Sequence, residues 1–199
     1  MVRRAPRALR ALRALLALPL LLAACAERDV GPVPGEARLN GLFTADFALT
    51  DMHGQPATDE RFEGAPMLIY FGFATCPDVC PAALSVMSAG LDALGEDANR
   101  IQPLFVTVDP ERDTAEVLSR YLAFDERILG LTGTPEEIKA AGDSLKVAAL
   151  RREMPDSAMG YTMDHSSFFY LTDAEGTPVA ALDDSMPPET LARVVRKQL

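Results

Sequence analysis

The pattern of hydrophobic and polar positions predicts a chain of alternating strands and helices. Two apolar runs without polar alternation, residues 67–73 and 103–108, are typical of strands that are buried on both faces. Shorter runs predict further strands at residues 46–50, 128–131, 146–150, 167–171 and 177–182.

Helices are expected between these strands. The apolar positions after the first long run predict a helix that begins at Val79 or Cys80 and ends near Leu94. Residues 113–116 and 134–137 both have the capping-box pattern, in which a short polar side chain is followed three residues later by Glu. Each of these patterns predicts the start of another helix.

The order of these elements predicts the fold class. A β-hairpin with its turn at residues 51–54 comes first, residues 151–164 are polar and are predicted to be irregular, and a last helix starts at residues 187–189. Strands that alternate with helices and end in an antiparallel hairpin describe a mixed sheet. The sequence therefore predicts an α/β protein with a thioredoxin-like mixed sheet flanked by helices and an N-terminal β-hairpin.

Residues 1–24 have the pattern of a signal peptide. Five arginines precede an apolar run at residues 14–24, which is too short to span a bilayer. The run ends in Leu22–Cys25 (LAAC), which resembles the lipobox of bacterial lipoproteins and predicts a lipid on Cys25. A membrane-anchor helix that contains a cysteine is the alternative, and both interpretations place the domain outside the cytoplasm on a membrane tether.

The remainder of the chain is an acidic domain behind a linker. Residues 25–40 contain two glycines and two prolines and predict a lipid-anchored flexible linker, so the domain is expected to span residues 41–199. The net charge is −10, and removal of the five N-terminal arginines leaves about −15. This charge disfavours binding to nucleic acid. It is compatible with a basic partner, although a solvated acidic surface is the simpler explanation.

The cysteines define the candidate site. If Cys25 carries lipid, Cys76 and Cys80 remain as a pair, which outside the cytoplasm forms a disulfide, a redox dithiol or a metal site. They lie where a central strand meets a helix N-terminus, at the sheet edge where ligands gather in open α/β folds. The positive end of the helix dipole is expected to favour the thiolate form.

Only two histidines are available. His53 lies in the predicted hairpin turn and is interpreted as a surface residue, whereas His165 precedes the penultimate strand. In a thioredoxin-like topology the loop before that strand packs against the cysteines. Two thiolates and one imidazole would suit copper, while a closed zinc site would need a fourth ligand.

Three motifs together resemble one family. They are TCPDVCP at residues 75–81, VDPERDT at residues 108–114 and DHS at residues 164–166. In this order they resemble the Sco/SenC family over residues 41–199. Its members are membrane-tethered, thioredoxin-like copper proteins implicated in assembly of the copper site of cytochrome c oxidase.

The resemblance implies a site and partners. Cys76, Cys80 and His165 would be the ligands of one copper, as Cu(I) or Cu(II), and the two cysteines could also form a redox disulfide. The partners would be the copper-receiving oxidase subunit and other periplasmic copper chaperones or thioredoxin-like reductants. The location would be the bacterial cell envelope, with the domain facing the periplasm or exterior.

Function classes other than the metallochaperone stay open. A thiol–disulfide oxidoreductase that reduces the oxidase cysteines before metallation is the main alternative. It is disfavoured because three residues separate the cysteines, tryptophan is absent and no proline adjoins His165. A peroxidase is weaker still, since Thr75 alone indicates it. Accessory copper binding by Met154, Met159 and Met163, and orientation of His165 by Asp164, are minor hypotheses.

Overall fold

The computed structural model of the protein describes residues 32–199. The predicted signal peptide, the lipobox with Cys25 and the first part of the predicted linker lie outside the described residues. Within the described part, the strands are β1 Glu36–Arg38, β2 Ala48–Asp51, β3 Pro56–Thr58, β4 Met67–Gly72, β5 Gln102–Thr107, β6 Leu129–Thr132, β7 Ala149–Met154, β8 Gly160–His165, β9 Phe168–Thr172 and β10 Pro178–Asp183. The α-helices are α1 Val79–Leu94, α2 Ala115–Tyr121, α3 Pro135–Ser144 and α4 Pro188–Val195.

Eight strands form one mixed sheet in the order β1-β10-β9-β4-β5-β6-β2-β3. The pairs β4–β5 and β5–β6 are parallel, and the other pairs are antiparallel. The central strand β4 is buried along its whole length, as its unbroken apolar run predicts. The predicted α/β class is confirmed: a thioredoxin-like mixed sheet is flanked by helices and carries an N-terminal β-hairpin, β2–β3.

The sheet has an extra edge strand near the N-terminus. Strand β1 pairs antiparallel with β10, in the register Glu36 to Leu182. Strand β1 lies in the segment that the sequence predicts to be a linker. The composition of that segment is polar, so its local pattern does not indicate a strand, and its partner β10 is brought to it only by folding. Within residues 32–199, no helix combines the length and the apolar character that crossing a membrane requires.

The two faces of β4 meet different helices. Successive side chains of a strand point to opposite faces. A Cβ atom added to Gly72 would lie 3.1 Å from the Sγ of Cys80 in α1, so this face meets α1. Phe71 points the other way and lines a cavity together with Ile138 of α3. Helix α1, which contains Cys80, therefore packs directly on one face of strand β4.

Two local predictions are wrong. Residues 151–164 are not irregular: most of them form the antiparallel hairpin β7–β8, whose turn is residues 155–159 and whose second strand begins at Gly160 with φ 69°. This hairpin has five exposed positions out of six in β7, so it lacks the apolar alternation that identifies a half-buried strand. Helix α2 is capped by Thr114, which accepts from the N–H of Val117 at 3.3 Å, and not by Asp113. The capping box at Thr134 and Glu137 is confirmed.

Candidate metal centre

The two cysteines lie at the junction between β4 and α1. The helix begins at Val79, with Asp78 at the cap position, so Cys80 is its second residue. Cys80 is fully buried, whereas Cys76 is partly exposed, and both are free thiols. The N–H of Cys80 donates to the Sγ of Cys76 at 3.5 Å. This bond holds the sulfur of Cys76 over the first turn of α1.

Glycine at the end of β4 makes room for the buried thiol. A Cβ atom added to Gly72 would lie 2.8 Å from the ring of Phe105 and 3.1 Å from the Sγ of Cys80. Protein interiors are packed at the density of organic crystals, so the neighbouring side chains cannot move aside freely to relieve such a close contact. The absence of a side chain at residue 72 therefore sets how closely Cys80 approaches the strand.

Burial controls the ionisation of Cys80. Removal of the thiol from water raises its pKa to about 12, although a hydrogen bond from the Phe73 backbone opposes this shift. The helix N-terminus was expected to favour the thiolate, and at Cys80 the cost of burying charge outweighs that effect. A metal that binds this sulfur would displace the proton.

His165 brings its imidazole to the cysteines from β8. Its Nε2 atom lies 3.8 Å from the Sγ of Cys80, although 85 residues separate them. Its Nδ1 atom lies 2.9 Å from the carbonyl oxygen of Ser166. Since a carbonyl only accepts, Nδ1 carries a proton, and in the neutral imidazole Nε2 then presents a lone pair towards the thiol. A hydrogen bond of this kind fixes the tautomer of metal-binding histidines.

Two aromatic rings hold the imidazole in place. Tyr70 and Phe73 both meet His165 edge to face, with centroid separations of 6.3 and 5.9 Å. The hydroxyl of Tyr70 lies 3.0 Å from the Oγ of Ser167, which itself donates to Asp184. Burial and the nearby Cys80 raise the pKa of Tyr70, so its hydroxyl stays protonated. Sequence reasoning missed Tyr70, although a hydroxyl inside an apolar strand was a signal that a buried partner exists.

The turn that follows β5 supports the loop before Cys76. Asp113 is fully buried, and its Oδ2 atom accepts from the N–H of Ala74 at 2.9 Å and from the hydroxyl of Thr107 at 2.7 Å. Burial raises the pKa of this carboxyl. Engagement with Ala74 and Thr107 explains why Asp113 does not cap α2.

Other candidate residues are not brought to the cysteines. His53 is exposed in the hairpin turn, as predicted. Asp164 points away from the site and bonds to Arg152 at 2.8 Å, so it does not orient the adjacent imidazole. Of the three methionines, Met163 packs against the core, and Met154 pairs across the hairpin with Gly160.

The donor set fits a soft metal ion. Two sulfurs and one imidazole nitrogen lie on two segments that meet at Cys80 and His165. Within residues 32–199, no three His, Cys, Asp or Glu side chains are grouped so that they could hold a metal ion as they stand. Binding through all three predicted residues therefore requires the sulfurs and Nε2 to draw together.

Comparison with known proteins identifies related chains. A family profile described as SCO1/SenC matches residues 35–199. The mitochondrial SCO2 protein of Saccharomyces cerevisiae is 37% identical over 181 residues, which are 90% of this chain and 59% of that protein. The chain thus spans less than two thirds of this relative.

Solved structures give the same grouping. The copper-bound ScoI of Bradyrhizobium japonicum superposes with a TM-score of 0.73 and 39% identity, over 79% of this chain and 99% of that one. BsSco, described as a member of the Sco family of cytochrome c oxidase assembly proteins and as having a disulfide switch, gives a TM-score of 0.64 over 81% and 95% of the two chains. At 23% identity, the second likeness shows the fold alone.

Proposed function

This chain belongs to the SCO1/SenC family, and from that premise we propose that it is a copper chaperone. It binds one copper through Cys76, Cys80 and His165 and assists assembly of the copper site of cytochrome c oxidase. The observation that carries this proposal is the position of the Nε2 atom of His165, 3.8 Å from the Sγ of the buried Cys80.

The chemistry of the donors supports copper as the cargo. Thiolates are soft ligands that favour Cu(I), and imidazole serves copper in either oxidation state. Binding releases the thiol protons, because the thiolate is the ligand. The similar ScoI of Bradyrhizobium japonicum has been solved with copper bound, which supports the same cargo here.

The unequal exposure of the two sulfurs indicates the side from which a receiving protein would take the copper. Cys76 is partly exposed and Cys80 is buried. A ligand on the receiving protein reaches the metal from the side of Cys76, while Cys80 and His165 keep the second and third bonds until transfer is complete. The receiving protein in this proposal is the oxidase subunit that acquires the copper site.

The tether forms part of the proposal. The segment Leu22–Cys25 supports cleavage by a lipoprotein signal peptidase and a lipid on Cys25. Such an anchor keeps the domain at the membrane surface, where the oxidase lies. The domain would face the periplasm or exterior of a bacterial cell.

Copper titration of the purified protein tests the cargo and the ligands. The reduced form should bind one Cu(I) in competition with a chelator, and the Cys76–Cys80 disulfide form should bind none at this site, because the disulfide consumes both ligands. Cys76→Ser or Cys80→Ser should remove most of the affinity. The matched control is His53→Ala, which removes an exposed ligand-type side chain outside the proposed site and should keep the stoichiometry. Unchanged binding in either site variant would place the metal elsewhere, for instance on the methionines of the β7–β8 hairpin.

A second candidate function is supported by the same exposure difference. A thiol–disulfide reductase of the oxidase cysteines would use the accessible Cys76 to attack and the buried Cys80 to resolve the mixed disulfide. Copper and a disulfide compete for the same two sulfurs. The two functions differ in their need for His165: copper binding uses its imidazole as a ligand, whereas thiol–disulfide exchange does not need it.

A further inference from the structure

The hairpin that carries His165 is not part of the main sheet. Among the described strands, β7 and β8 pair only with each other. Main-sheet strands are positioned by backbone ladders on their neighbours, and this hairpin has none. The end of β8 at His165 is tied to the sheet by the two residues that lead into β9, and the rest of the hairpin is positioned by side-chain contacts with the domain.

Tyr161 makes such a contact near the far end of β8. Its hydroxyl donates to the Oδ1 of Asp109 at 2.8 Å. The guanidinium groups of Arg112 and Arg151 lie 3.8 and 3.6 Å from the centre of its ring. Two guanidinium groups at stacking distance cannot occupy one face of a ring, so they lie on opposite faces. Such cation–π contacts are strongest where the ring is withdrawn from water.

Both arginines are fixed to one turn of the domain, residues 109–113. Arg112 pairs with the buried Asp109 and also donates to the carbonyl of Tyr161 at 3.2 Å. Arg151 reaches Glu111 at 2.9 Å. The contacts of Tyr161 thus attach the hairpin to this turn at three points: the hydroxyl, the carbonyl and the ring face that Arg112 covers. Arg151 belongs to β7, and it links the other ring face to the turn through its ion pair with Glu111.

The same turn holds the loop before the first cysteine. The carboxylate of Asp113 accepts from the N–H of Ala74, two residues before Cys76. Residues 109–113 are therefore a common anchor for both segments that carry the proposed ligands. One segment is attached through Asp113 and the other through Tyr161.

The middle of the hairpin contacts the core through Met163. Tyr161, Met163 and His165 alternate along β8 and share its inner face. Beneath Met163 lies a largely apolar, open cavity of about 440 Å³, which Phe71, Val108 and Ile138 also line. The hairpin is therefore supported near Tyr161 and at His165 as well as through Met163, which lies at the rim of this cavity.

We propose that Tyr161, clamped by Asp109, Arg112 and Arg151, is a positioning residue that sets the approach of His165 to Cys80. The role of His165 as a copper ligand rests on the proposed function. The clamp holds the imidazole in reach of the thiols before copper arrives and resists its withdrawal while copper is bound. Tyr161 itself does not touch the metal.

The test compares Tyr161→Phe, Tyr161→Ala and Arg151→Ala with Arg152→Ala. Arg152 is the matched control because it lies in the same strand and carries the same charge, but it bonds to Asp164 on the outer face. Tyr161→Phe keeps the stacking and loses only the bond to Asp109. Arg151→Ala and Tyr161→Phe are mild enough to be informative if Tyr161→Ala does not fold.

The first measurement needs no copper. In the apo protein, the proton resonances of the His165 imidazole are shifted by the ring currents of Tyr70 and Phe73, which meet it edge to face. Tyr161→Ala and Arg151→Ala should move these resonances towards the values of an unstructured peptide and speed amide exchange in β8. Tyr161→Phe should have a smaller effect, and Arg152→Ala should resemble the wild type.

The second measurement is the rate at which a chelator removes Cu(II) from the loaded protein. Loss of a residue that orients a ligand typically weakens metal binding by about 10- to 100-fold, so we expect Tyr161→Ala to release copper faster by about that factor. Arg152→Ala should release it at the wild-type rate. If the His165 resonances stay unchanged in Tyr161→Ala, or if the Arg151 and Arg152 variants behave alike, the proposal is wrong. If the wild type binds no copper through its cysteines, the proposed function fails, and the imidazole resonances still decide whether Tyr161 positions His165.

Discussion

The imidazole of His165 and the ring of Phe73 stand edge to face, with their centroids 5.9 Å apart and their planes at 86°. Phe73 follows directly after β4, on the path to Cys76. The strand that leads to the cysteines therefore also supports the imidazole. This relationship brings a residue from the C-terminal part of the chain to the thiols without a backbone ladder between β8 and β4.

Replacement of His165 by alanine should separate the two candidate functions. Exchange between dithiol and disulfide should persist, because it needs only the cysteines. Cu(I) should still bind, more weakly, since it accepts two thiolates, whereas a stable Cu(II)–thiolate absorption band should be lost because Cu(II) prefers nitrogen donors. His53→Ala is the control, since this histidine is exposed in a hairpin turn.

The cellular arm of this test uses a deletion strain at limiting copper. Oxidase activity should be restored by the wild type and by His53→Ala, and not by His165→Ala at equal protein levels. Full restoration by His165→Ala would make the histidine structural and move the reductase function ahead of the chaperone.

Substitution of Gly72 by alanine should disturb the site through packing alone. The new methyl group would lie 2.8 Å from Phe105 and 3.1 Å from the Sγ of Cys80. Overpacking of this kind costs about 1–3 kcal/mol of unfolding free energy. Denaturant unfolding measures the loss, and chelator competition should show weaker copper binding. In Gly142→Ala the nearest atom outside the helix's own backbone is 3.6 Å away, so that variant should be at least as stable as the wild type and keep its copper affinity.

Asp125 should give the protein a measurable acid sensitivity. It is buried, its Oδ2 accepts from Ser88 at 2.6 Å, and bonds from Arg127 lower its pKa to about 2. A carboxyl with a folded pKa below its unfolded value of about 3.9 stabilises the fold above that value and loses this contribution as pH falls towards 2. Asp125→Asn should therefore cost about 2 kcal/mol at pH 7, and the difference from the wild type should shrink below pH 4.

The control for this experiment is Asp143→Asn. Asp143 pairs with Lys139 at the surface, at 2.5 Å, with both side chains largely exposed. Exposed pairs contribute about 0–1 kcal/mol, so a small change in unfolding free energy is expected. An Asp125→Asn difference that stays constant from pH 7 to pH 3 would show that the ionised carboxylate is not the stabilising species.

Cys25 should carry lipid in the mature protein. The motif Leu22–Cys25 follows a short apolar run and has small residues before the cysteine. Mass spectrometry of the protein from membranes should find a blocked, diacylglyceryl-modified N-terminal cysteine. A chain that still begins at Met1 would support the anchor-helix alternative, and Cys25→Ser should prevent processing.

The sequence alone determined the features that depend on local pattern. The apolar run of β4, followed by Pro81 near the start of a helix, was sufficient to place both cysteines at a strand–helix junction. The capping box at Thr134 was recognisable because its two partners are three residues apart. The motifs around Cys76, Cys80 and His165 indicated the family, and the ligand roles of these residues stay predictions.

Tertiary structure decided the features that depend on distant partners or on burial. The β7–β8 hairpin has no apolar stripe, and the contacts of Tyr161 with Arg112 and Arg151 hold it together with the packing of Met163. Asp113 has the local pattern of a helix cap, yet burial beside Ala74 gives it a different role. The helix dipole predicted a thiolate at Cys80, but burial of the thiol raises its pKa instead. Periodicity records which faces of an element are apolar, but the partners of a polar group, and the water it loses, are fixed only when the chain is folded.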